Sequence, residues 1–147
     1  MKILGAILVG VIVLAVSAFF IVRSLEERVT SELVTQVSRL EIPAGWQPLS
    51  DIVRGEHFLC MSTNPCPSIS RRWQVDTAVT DQDLEEIATP AGLVLAVEGT
   101  CQRPAAETGE TIVCTGRAVK DGYKYQLTVF SVDPNGNLQV ALSVRPS

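Results

Sequence analysis

The residues of this chain best suited to covalent or metal chemistry are its four cysteines, Cys60, Cys66, Cys101 and Cys114. An even number of cysteines in one small domain is typical of a disulfide framework. Cys60 and Cys66 border one turn-rich loop, while Cys101 and Cys114 come together if the strands on either side of residues 102–110 pair. We therefore predict the disulfides Cys60–Cys66 and Cys101–Cys114, with the crossed pairings as the alternative.

Two groups of residues raise the question of a metal site. The gaps within the cysteine pairs hold five and twelve residues, whereas zinc ligands usually come in pairs two to four residues apart. The acidic cluster Asp81, Asp83, Glu85 and Glu86 lacks the spacing and central glycine of an EF-hand. Acidic residues at this place instead complement the dipole of a helix that begins near them. We expect no metal ion and no other cofactor.

His57 is the only histidine in the sequence, next to Glu56 and three residues before Cys60. A nucleophilic Cys–His pair would need Cys60 as a free thiolate, which conflicts with the predicted disulfide. The sequence also lacks the G-x-S-x-G, H-E-x-x-H and glycine-rich phosphate-binding motifs. We predict that the protein is not an enzyme. A small cell-envelope hydrolase is the alternative, because two carboxylates can meet in space without a sequence motif.

A long apolar stretch determines where the rest of the chain lies. The twenty residues from Ile3 to Val22 carry no charge, and a helix of that length spans about 30 Å, the thickness of the hydrocarbon core of a bilayer. We predict that residues 1–22 are a transmembrane signal anchor. The alternative is a signal peptide cleaved after Ala18, although the apolar run continues past that residue.

The predicted disulfides place the long C-terminal part outside the cytoplasm, since disulfides form in oxidising compartments. Lys2 precedes the span while Arg23 and Arg28 follow it, so the count of basic residues alone favours the opposite orientation. We give the cysteines precedence and predict a single-pass protein of a cell membrane. Within the span, the small residues suited to close contact with another helix are Ala6, Gly10 and Ser17.

After the span, apolar residues recur every three or four positions, which predicts a helix with one apolar stripe. We predict a stalk helix and linker over residues 23–45, with Ser24 as N-cap and Glu27 completing a capping box. Two uses of the stripe remain open: packing against the protein's own domain, or contact with a second copy (a homodimer) or a larger partner. The stripe consists of Leu25, Val29, Leu33, Val37 and Leu40.

Residues 46–147 are predicted to form one extracytoplasmic α+β domain with a mainly antiparallel sheet and short helices on one face. The predicted order is β-α-β-β-β-β, preceded by one or two helical turns between Trp46 and Phe58. The last three strands are expected to form a meander. The predicted strands are Trp73–Val79, Leu93–Gly99, Thr111–Val119, Tyr123–Val132 and Leu138–Arg145.

Three local signals mark the boundaries of these elements. Thr80 and Asp83 predict a capping box at the start of the helix. Asp121-Gly122 predicts a two-residue hairpin turn, because both central positions of a type I′ turn need positive φ. Residues 134–136, Pro-Asn-Gly, predict the turn before the last strand.

Alternation along the predicted strands assigns their side chains to two faces. One face, together with the helix, is predicted to form the core. The other face suits either a solvated surface or a modest protein-binding surface. The predicted core is Trp73, Val75, Leu84, Ile87, Leu95, Val97, Leu127, Val129, Val140 and Leu142. The polar face is Arg117, Lys124, Gln126, Thr128, Gln139, Ala141, Ser143 and Arg145.

The charge of the chain limits the kinds of partner. It carries 12 Lys and Arg against 16 Asp and Glu, a net charge of −4 without a basic stripe, so nucleic acid is not an expected partner. No N-x-Ser/Thr sequon occurs, which is consistent with a bacterial source. We predict a non-enzymatic, membrane-anchored interaction module of a bacterial cell envelope. Its expected partners are the membrane and another envelope or membrane protein.

The layout of an apolar helix that becomes amphipathic and precedes an antiparallel sheet resembles a type IV pilin or pseudopilin. Those proteins carry a charged leader that ends in Gly, then a mature Phe or Met, and a Glu at the fifth mature position. Here Ala6 follows Gly5, and the first acidic residue is Glu26. The resemblance covers the layout alone, so a pilin-like assembly subunit stays an alternative and no family is assigned.

Overall fold

The computed structural model describes residues 2–57, 60, 65–101, 111–132 and 137–147, and side chains from residue 10 onward. Among these residues a long helix precedes a six-stranded sheet, and a short helix follows the second strand. The elements are α1 (Lys2–Val37), β1 (Gln47–Arg54), β2 (Ser68–Val75), α2 (Asp81–Ala88), β3 (Ala96–Gly99), β4 (Thr111–Lys120), β5 (Tyr123–Ser131) and β6 (Leu138–Pro146).

The six strands form one sheet in the order β1-β2-β6-β5-β4-β3, and every neighbouring pair is antiparallel. The predicted α+β class with a mainly antiparallel sheet is confirmed. The last three strands form the predicted meander. On its other side β6 pairs with β2, which places the hairpin of β1 and β2 beside the C-terminal strand.

β1 corrects one predicted element. Helical turns are expected between Trp46 and Phe58, but the structure has a strand there, paired with β2. The order of elements after α1 is therefore β-β-α-β-β-β-β. Every residue of this edge strand is exposed, so it shows no period-two pattern. Backbone hydrogen bonds to β2 define the strand, and these leave no mark in a side-chain pattern.

α1 corrects a second predicted element. The stalk helix is expected to begin at Ser24, whereas the structure has one helix from Lys2 to Val37 with Ser24 inside it. No proline or glycine interrupts the chain between Gly10 and Val37, and the ion pair Arg23–Glu27 (3.4 Å) crosses the predicted junction. In the part of the chain that the structure describes, no helix is both long and apolar enough to cross a membrane.

The apolar stripe of the stalk divides into two parts. Leu33, Val37 and Leu40 are buried in the core, whereas Leu25 and Val29 are exposed. The last turns of α1 and the residues that follow them therefore pack against the protein's own domain, which is one of the two interpretations of the stripe.

The predicted core is confirmed with one exception. Val97 is only half-buried, because β3 is a four-residue strand at the edge of the sheet. The predicted residues that are buried are Trp73, Val75, Leu84, Ile87, Leu95, Leu127, Val129, Val140 and Leu142.

Thr80 and Asp83 form the predicted capping box at the start of α2. The backbone N–H of Thr80 donates to the Asp83 carboxylate (2.6 Å), and the backbone N–H of Asp83 donates to Thr80 Oγ1 (3.2 Å). The helix buries Leu84 and Ile87 against the sheet. A hydrogen bond from the Glu41 N–H to the Ile87 carbonyl oxygen (3.2 Å) ties the segment after α1 to α2.

Asp121 and Gly122 form the predicted turn between β4 and β5. Their φ angles of 51° and 82° have the positive sign that a type I′ turn requires at both positions. The turn sets the register in which Gly116 pairs with Leu127. The turn predicted at residues 134–136 lies outside the described residues.

Both predicted disulfides, Cys60–Cys66 and Cys101–Cys114, are present. Their Cα atoms lie 5.9 and 4.7 Å apart, within the usual range for a disulfide. Cys114 pairs with Gly99 of β3, so the second bridge closes the loop between the two strands. Since all four cysteines are bonded in the structure, none offers a thiolate to zinc.

Tryptic mapping without reduction checks this pairing. Trypsin cuts on both sides of each bonded pair but not between Arg103 and Pro104, so each disulfide lies within a single peptide. We expect peptides 55–71 and 73–117, each lighter than its reduced form by two hydrogen atoms. A disulfide that joins these two peptides would contradict the pairing.

Truncation of the paired leucines at the centre of the sheet tests the core. Leu127 and Leu142 are buried and lie directly opposite each other on β5 and β6. We expect Leu127→Ala and Leu142→Ala each to lower the free energy of unfolding by about 2–5 kcal/mol in urea titrations. Val119→Ala, at an exposed position of β4, is the control and should cost less than about 0.5 kcal/mol. Costs below about 1 kcal/mol for both leucines would place the core on the other face.

Candidate functional site: the open face of the sheet

The register of the strands defines a face of the sheet that lies opposite the core. Residues that pair directly in an antiparallel sheet point to the same face. Leu127 pairs with Leu142, and both are buried in the core. Lys124 and Arg145 also pair, and their offset of three positions from the leucines puts them on the opposite face. We call this the open face.

All the predicted polar-face residues lie on the open face, where β4, β5 and β6 are neighbours. The structure extends the face onto β2 and β3 as well. The predicted members are Arg117, Lys124, Gln126, Thr128, Gln139, Ala141, Ser143 and Arg145. The added members are Ser70, Arg72, Gln74, Glu98 and Thr115.

The β2 members were not predicted from the sequence, although the sequence does indicate which side of their strand they occupy. Arg72 and Gln74 alternate with the buried residues Trp73 and Val75, so their side of the strand is predictable. That β2 lies beside β6 is a long-range pairing, which no local pattern encodes.

Short hydroxyl side chains form the floor of the open face. Thr115 and Thr128 are only 6% and 5% exposed. Gln126 Nε2 donates to Thr128 Oγ1 at 3.1 Å, so a longer side chain folds over the threonine. At the edge of this floor, the Arg72 guanidinium carbon lies 5.9 Å from the centre of the Phe130 ring, a cation–π contact.

The open face is basic although the whole protein is acidic. Strands β2 to β6 contribute four of the chain's 12 basic residues to it, Arg72, Arg117, Lys124 and Arg145, while the net charge of the chain is −4. Among its described residues the one carboxylate is Glu98, which forms an ion pair with Arg117. The face is therefore a local cationic surface on an anionic protein.

Lys124 and Arg145 are the most unusual pair on this face. They lie directly opposite each other on neighbouring strands, and like charges in such a position destabilise a sheet. The next open-face positions on the same two strands are occupied by Gln126 and Ser143, which also pair directly. These four side chains bring N–H and O–H donors together, which is an arrangement suited to an anion.

Apart from the open face, a groove of about 460 Å³ lies between α1 and the segment that follows β1. The backbone N–H of Glu56 donates to Thr30 Oγ1 (2.8 Å), which donates to the Glu26 carbonyl oxygen (3.0 Å). These bonds hold the segment against the helix. The lining includes the carboxylates of Glu26, Glu27 and Glu56 and one guanidinium, that of Arg23, which forms an ion pair with Glu27. The groove is therefore mildly acidic, and its described residues do not gather donors for an anion.

His57 and Cys60, which the sequence analysis rejected as a nucleophilic pair, do not form one in the structure. Cys60 is bonded to Cys66 and so carries no thiol for His57 to activate. The Glu56 carboxylate and the sulfur atoms of Cys60 and Cys66 all lie within 4.8 Å of one another. A disulfide sulfur is not a thiolate ligand, so this cluster is not a metal site. In the acidic cluster, the Asp83 carboxylate accepts hydrogen bonds from the backbone N–H and the hydroxyl of Thr80 and so completes the capping box of α2.

The small residues predicted to contact another helix lie in the first half of α1. The side chain of Ala6 lies outside the described residues. Gly10 has no neighbouring atom within 4 Å of the place where a Cβ would stand. Ser17 Oγ donates to the Val13 carbonyl oxygen at 2.8 Å, so its hydroxyl is satisfied within its own helix.

Two tyrosines at the start of β5 have raised pKa values. Tyr125 is buried, and its hydroxyl has no hydrogen-bond partner among the described residues. Burial raises the pKa of Tyr125 to about 12, with smaller contributions from Asp121 and Tyr123. The pKa of Tyr123 is raised first by burial and then by the charges of Glu56 and Glu32.

No family model, curated protein or solved structure matches this chain.

Replacement of Tyr125 by phenylalanine tests whether its buried hydroxyl lacks a hydrogen-bond partner. Because the Tyr125 hydroxyl has no partner among the described residues, Tyr125→Phe removes a buried polar group rather than a hydrogen bond. We expect the free energy of unfolding at neutral pH to stay the same or rise by about 1 kcal/mol in urea titrations. A loss of more than about 1 kcal/mol would show that the hydroxyl has a partner.

The same variant tests the raised pKa. Unfolded tyrosine loses its proton near pH 10, while folded Tyr125 keeps it to about 12. The wild-type protein should therefore lose stability as the pH rises through this interval, because the unfolded state binds fewer protons. Tyr125→Phe should lose less stability over the same interval. Equal losses in both proteins would contradict the assignment.

Proposed function

We propose that the protein is a non-enzymatic interaction module of a bacterial cell envelope. In this proposal the first part of α1 holds the chain in a membrane, the α+β domain lies outside the cytoplasm, and the open face is the binding surface. The observation that carries the proposal is the continuity of α1, which runs from an exposed apolar segment into the core of the domain.

The apolar half of α1 has no cover within the described part of the protein. Every residue from Gly10 to Val22 is exposed, and a helix that is apolar on all sides is suited to a non-aqueous environment. The uncharged sequence from Ile3 to Val22 also has the length of a bilayer core. The exposed large apolar side chains are Val11, Ile12, Val13, Leu14, Val16, Phe19, Phe20, Ile21 and Val22.

The helix would hold the domain at a short and fixed distance from that segment. Leu33, the first buried residue along the described part of α1, follows Val22 by eleven residues, which is about 16 Å of helix. The headgroup region of a bilayer accounts for about 5–8 Å of this length. The domain would therefore stand close to the membrane surface, where its binding surface can meet other proteins of the same membrane.

The two disulfides support a location outside the cytoplasm, because such bonds persist in oxidising compartments. A domain of about 100 residues buries a limited core, so cross-links add useful stability.

A second copy of the chain is a further proposed partner, through the stalk. Leu25 and Val29 are 57% and 38% exposed and lie beyond Arg23, outside the uncharged segment. Two such stripes packed side by side would bury these residues in both copies. Leu33 and Val37 would not take part, because they are already buried in the domain.

Carbonate extraction of membranes from the native host tests the attachment. We expect the wild-type chain in the membrane pellet with an intact N-terminus. Val13→Lys combined with Val16→Lys should move it to the soluble fraction, because a lysine at the centre of a span costs about 2.5–3.5 kcal/mol.

Leu25→Lys combined with Val29→Lys is the matched control, which adds the same charge beyond the apolar segment and should leave the chain in the pellet. Recovery of a soluble wild-type form that begins at Phe19, or of the Val13/Val16 variant in the pellet, would contradict the proposal.

A further inference from the structure

We propose that the open face binds an acidic segment of a partner protein, and that Lys124 and Arg145 hold its carboxylates. This inference rests on the proposed function, in which the open face is the binding surface. It adds the chemical class of the partner and the residues that recognise it.

Lys124 of β5 and Arg145 of β6 are two cations held side by side. In a directly opposed pair the Cβ atoms are about 4.5–5.5 Å apart, so the charges of Lys124 and Arg145 repel each other in the free protein. No carboxylate of the described residues forms an ion pair with either side chain. A carboxylate placed between them replaces this repulsion with two charge-assisted hydrogen bonds.

Directly paired residues form rows across the open face, and the rows next to Lys124 and Arg145 extend the site so that it can hold more than one anionic group. Gln126 and Ser143 pair directly in the next row of the open face, and Arg117 pairs with Gln126 on the other side. Successive rows are two residues apart along each strand, about 6.8 Å. Side chains on one side of an extended peptide repeat at the same distance. An extended acidic segment can therefore present a carboxylate or a hydrogen-bonding group to each row in turn.

Two features favour a protein segment over a uniformly charged polymer or a lipid surface. The chain as a whole carries a charge of −4, so its acidic surface repels a long polyanion wherever the polymer extends past the open face. A short acidic segment stays on the open face, where the acidic residues elsewhere on the protein are screened by salt beyond about 8 Å. Exposed apolar side chains also point to the open side of the sheet, and apolar area is common in the core of protein interfaces. They are Ile52, Ile112 and Val119, which pair with Ser70, Phe130 and Lys124.

A binding assay on the full-length protein tests the inference. The protein is placed in nanodiscs of zwitterionic lipid, and a fluorescent peptide of glutamate and glycine is titrated by anisotropy against its glutamine counterpart. We expect the glutamate peptide alone to bind, more weakly as salt is added. Lys124→Gln combined with Arg145→Gln should weaken binding roughly tenfold or more. Arg28→Gln combined with Arg39→Gln removes the same charge from exposed positions outside the open face and should change binding less than about twofold.

Thermal unfolding gives a second readout that shows whether each variant is folded. Since Lys124 and Arg145 oppose each other, Lys124→Gln should raise the Tm at low salt, and the difference should shrink at high salt. The glutamate peptide should raise the Tm of the wild-type protein and leave that of the double variant unchanged.

Failure of the folded wild-type protein to bind the peptide would overturn the inference, while the proposed function would still be judged by membrane fractionation. Tighter binding to an acidic polysaccharide, or to vesicles of anionic lipid, would also overturn it and would identify a different class of ligand. An equal loss of binding in the Arg28/Arg39 variant would show that binding follows net charge rather than the open face.

Discussion

The packing of the last turns of α1 against the sheet is the contact on which the rest of the structure depends. Leu33 and Val37 enter the same core as Leu127 and Leu142, so the helix is part of the domain and not a tether beside it. This contact occupies one face of the sheet, which α2 shares through Leu84. The opposite face is left uncovered by the described helices, and its polar and basic residues follow from that placement.

The same arrangement leaves two edges, and each edge is protected in a different way. β1 carries an irregularity in its pairing at Pro48 and an ion pair between Asp51 and Arg71 (3.0 Å). β3 has only four residues and ends beside a disulfide, since Gly99 pairs with Cys114. Proline, charge and short length are the usual means by which edge strands avoid pairing with other chains. The open face is therefore better suited than either edge to specific binding.

The parts of the fold that local chemistry determines could be predicted from the sequence. Alternation identified the strands around Leu127 and Leu142, and the Thr80 cap and the Asp121-Gly122 turn are short-range signals that the structure confirms. The disulfides were predictable because each pair closes one loop.

Long-range features could not be predicted in this way. β1 is exposed along its whole length, so no pattern distinguished it from a helical turn. Ser24 has the sequence of an N-cap, but an N-cap residue itself has non-helical backbone angles, and here the helix continues through Ser24. The pairing of β2 with β6, which brings Arg72 onto the open face, depends on the whole topology. For the same reason the polar-face residues were found but the extent of the face was not.

The central proposal is that the continuous helix α1 runs from an apolar environment into the core of a water-exposed domain. Spin labels placed singly at Leu14, Leu25 and Lys124 of the full-length protein in nanodiscs test it through collisions with oxygen, which enters lipid, and with a nickel complex, which stays in water. We predict that the Leu14 label collides with oxygen and is shielded from nickel, while nickel reaches the labels at Leu25 and Lys124. A Leu14 label that nickel reaches as readily as the Lys124 label would contradict the claim.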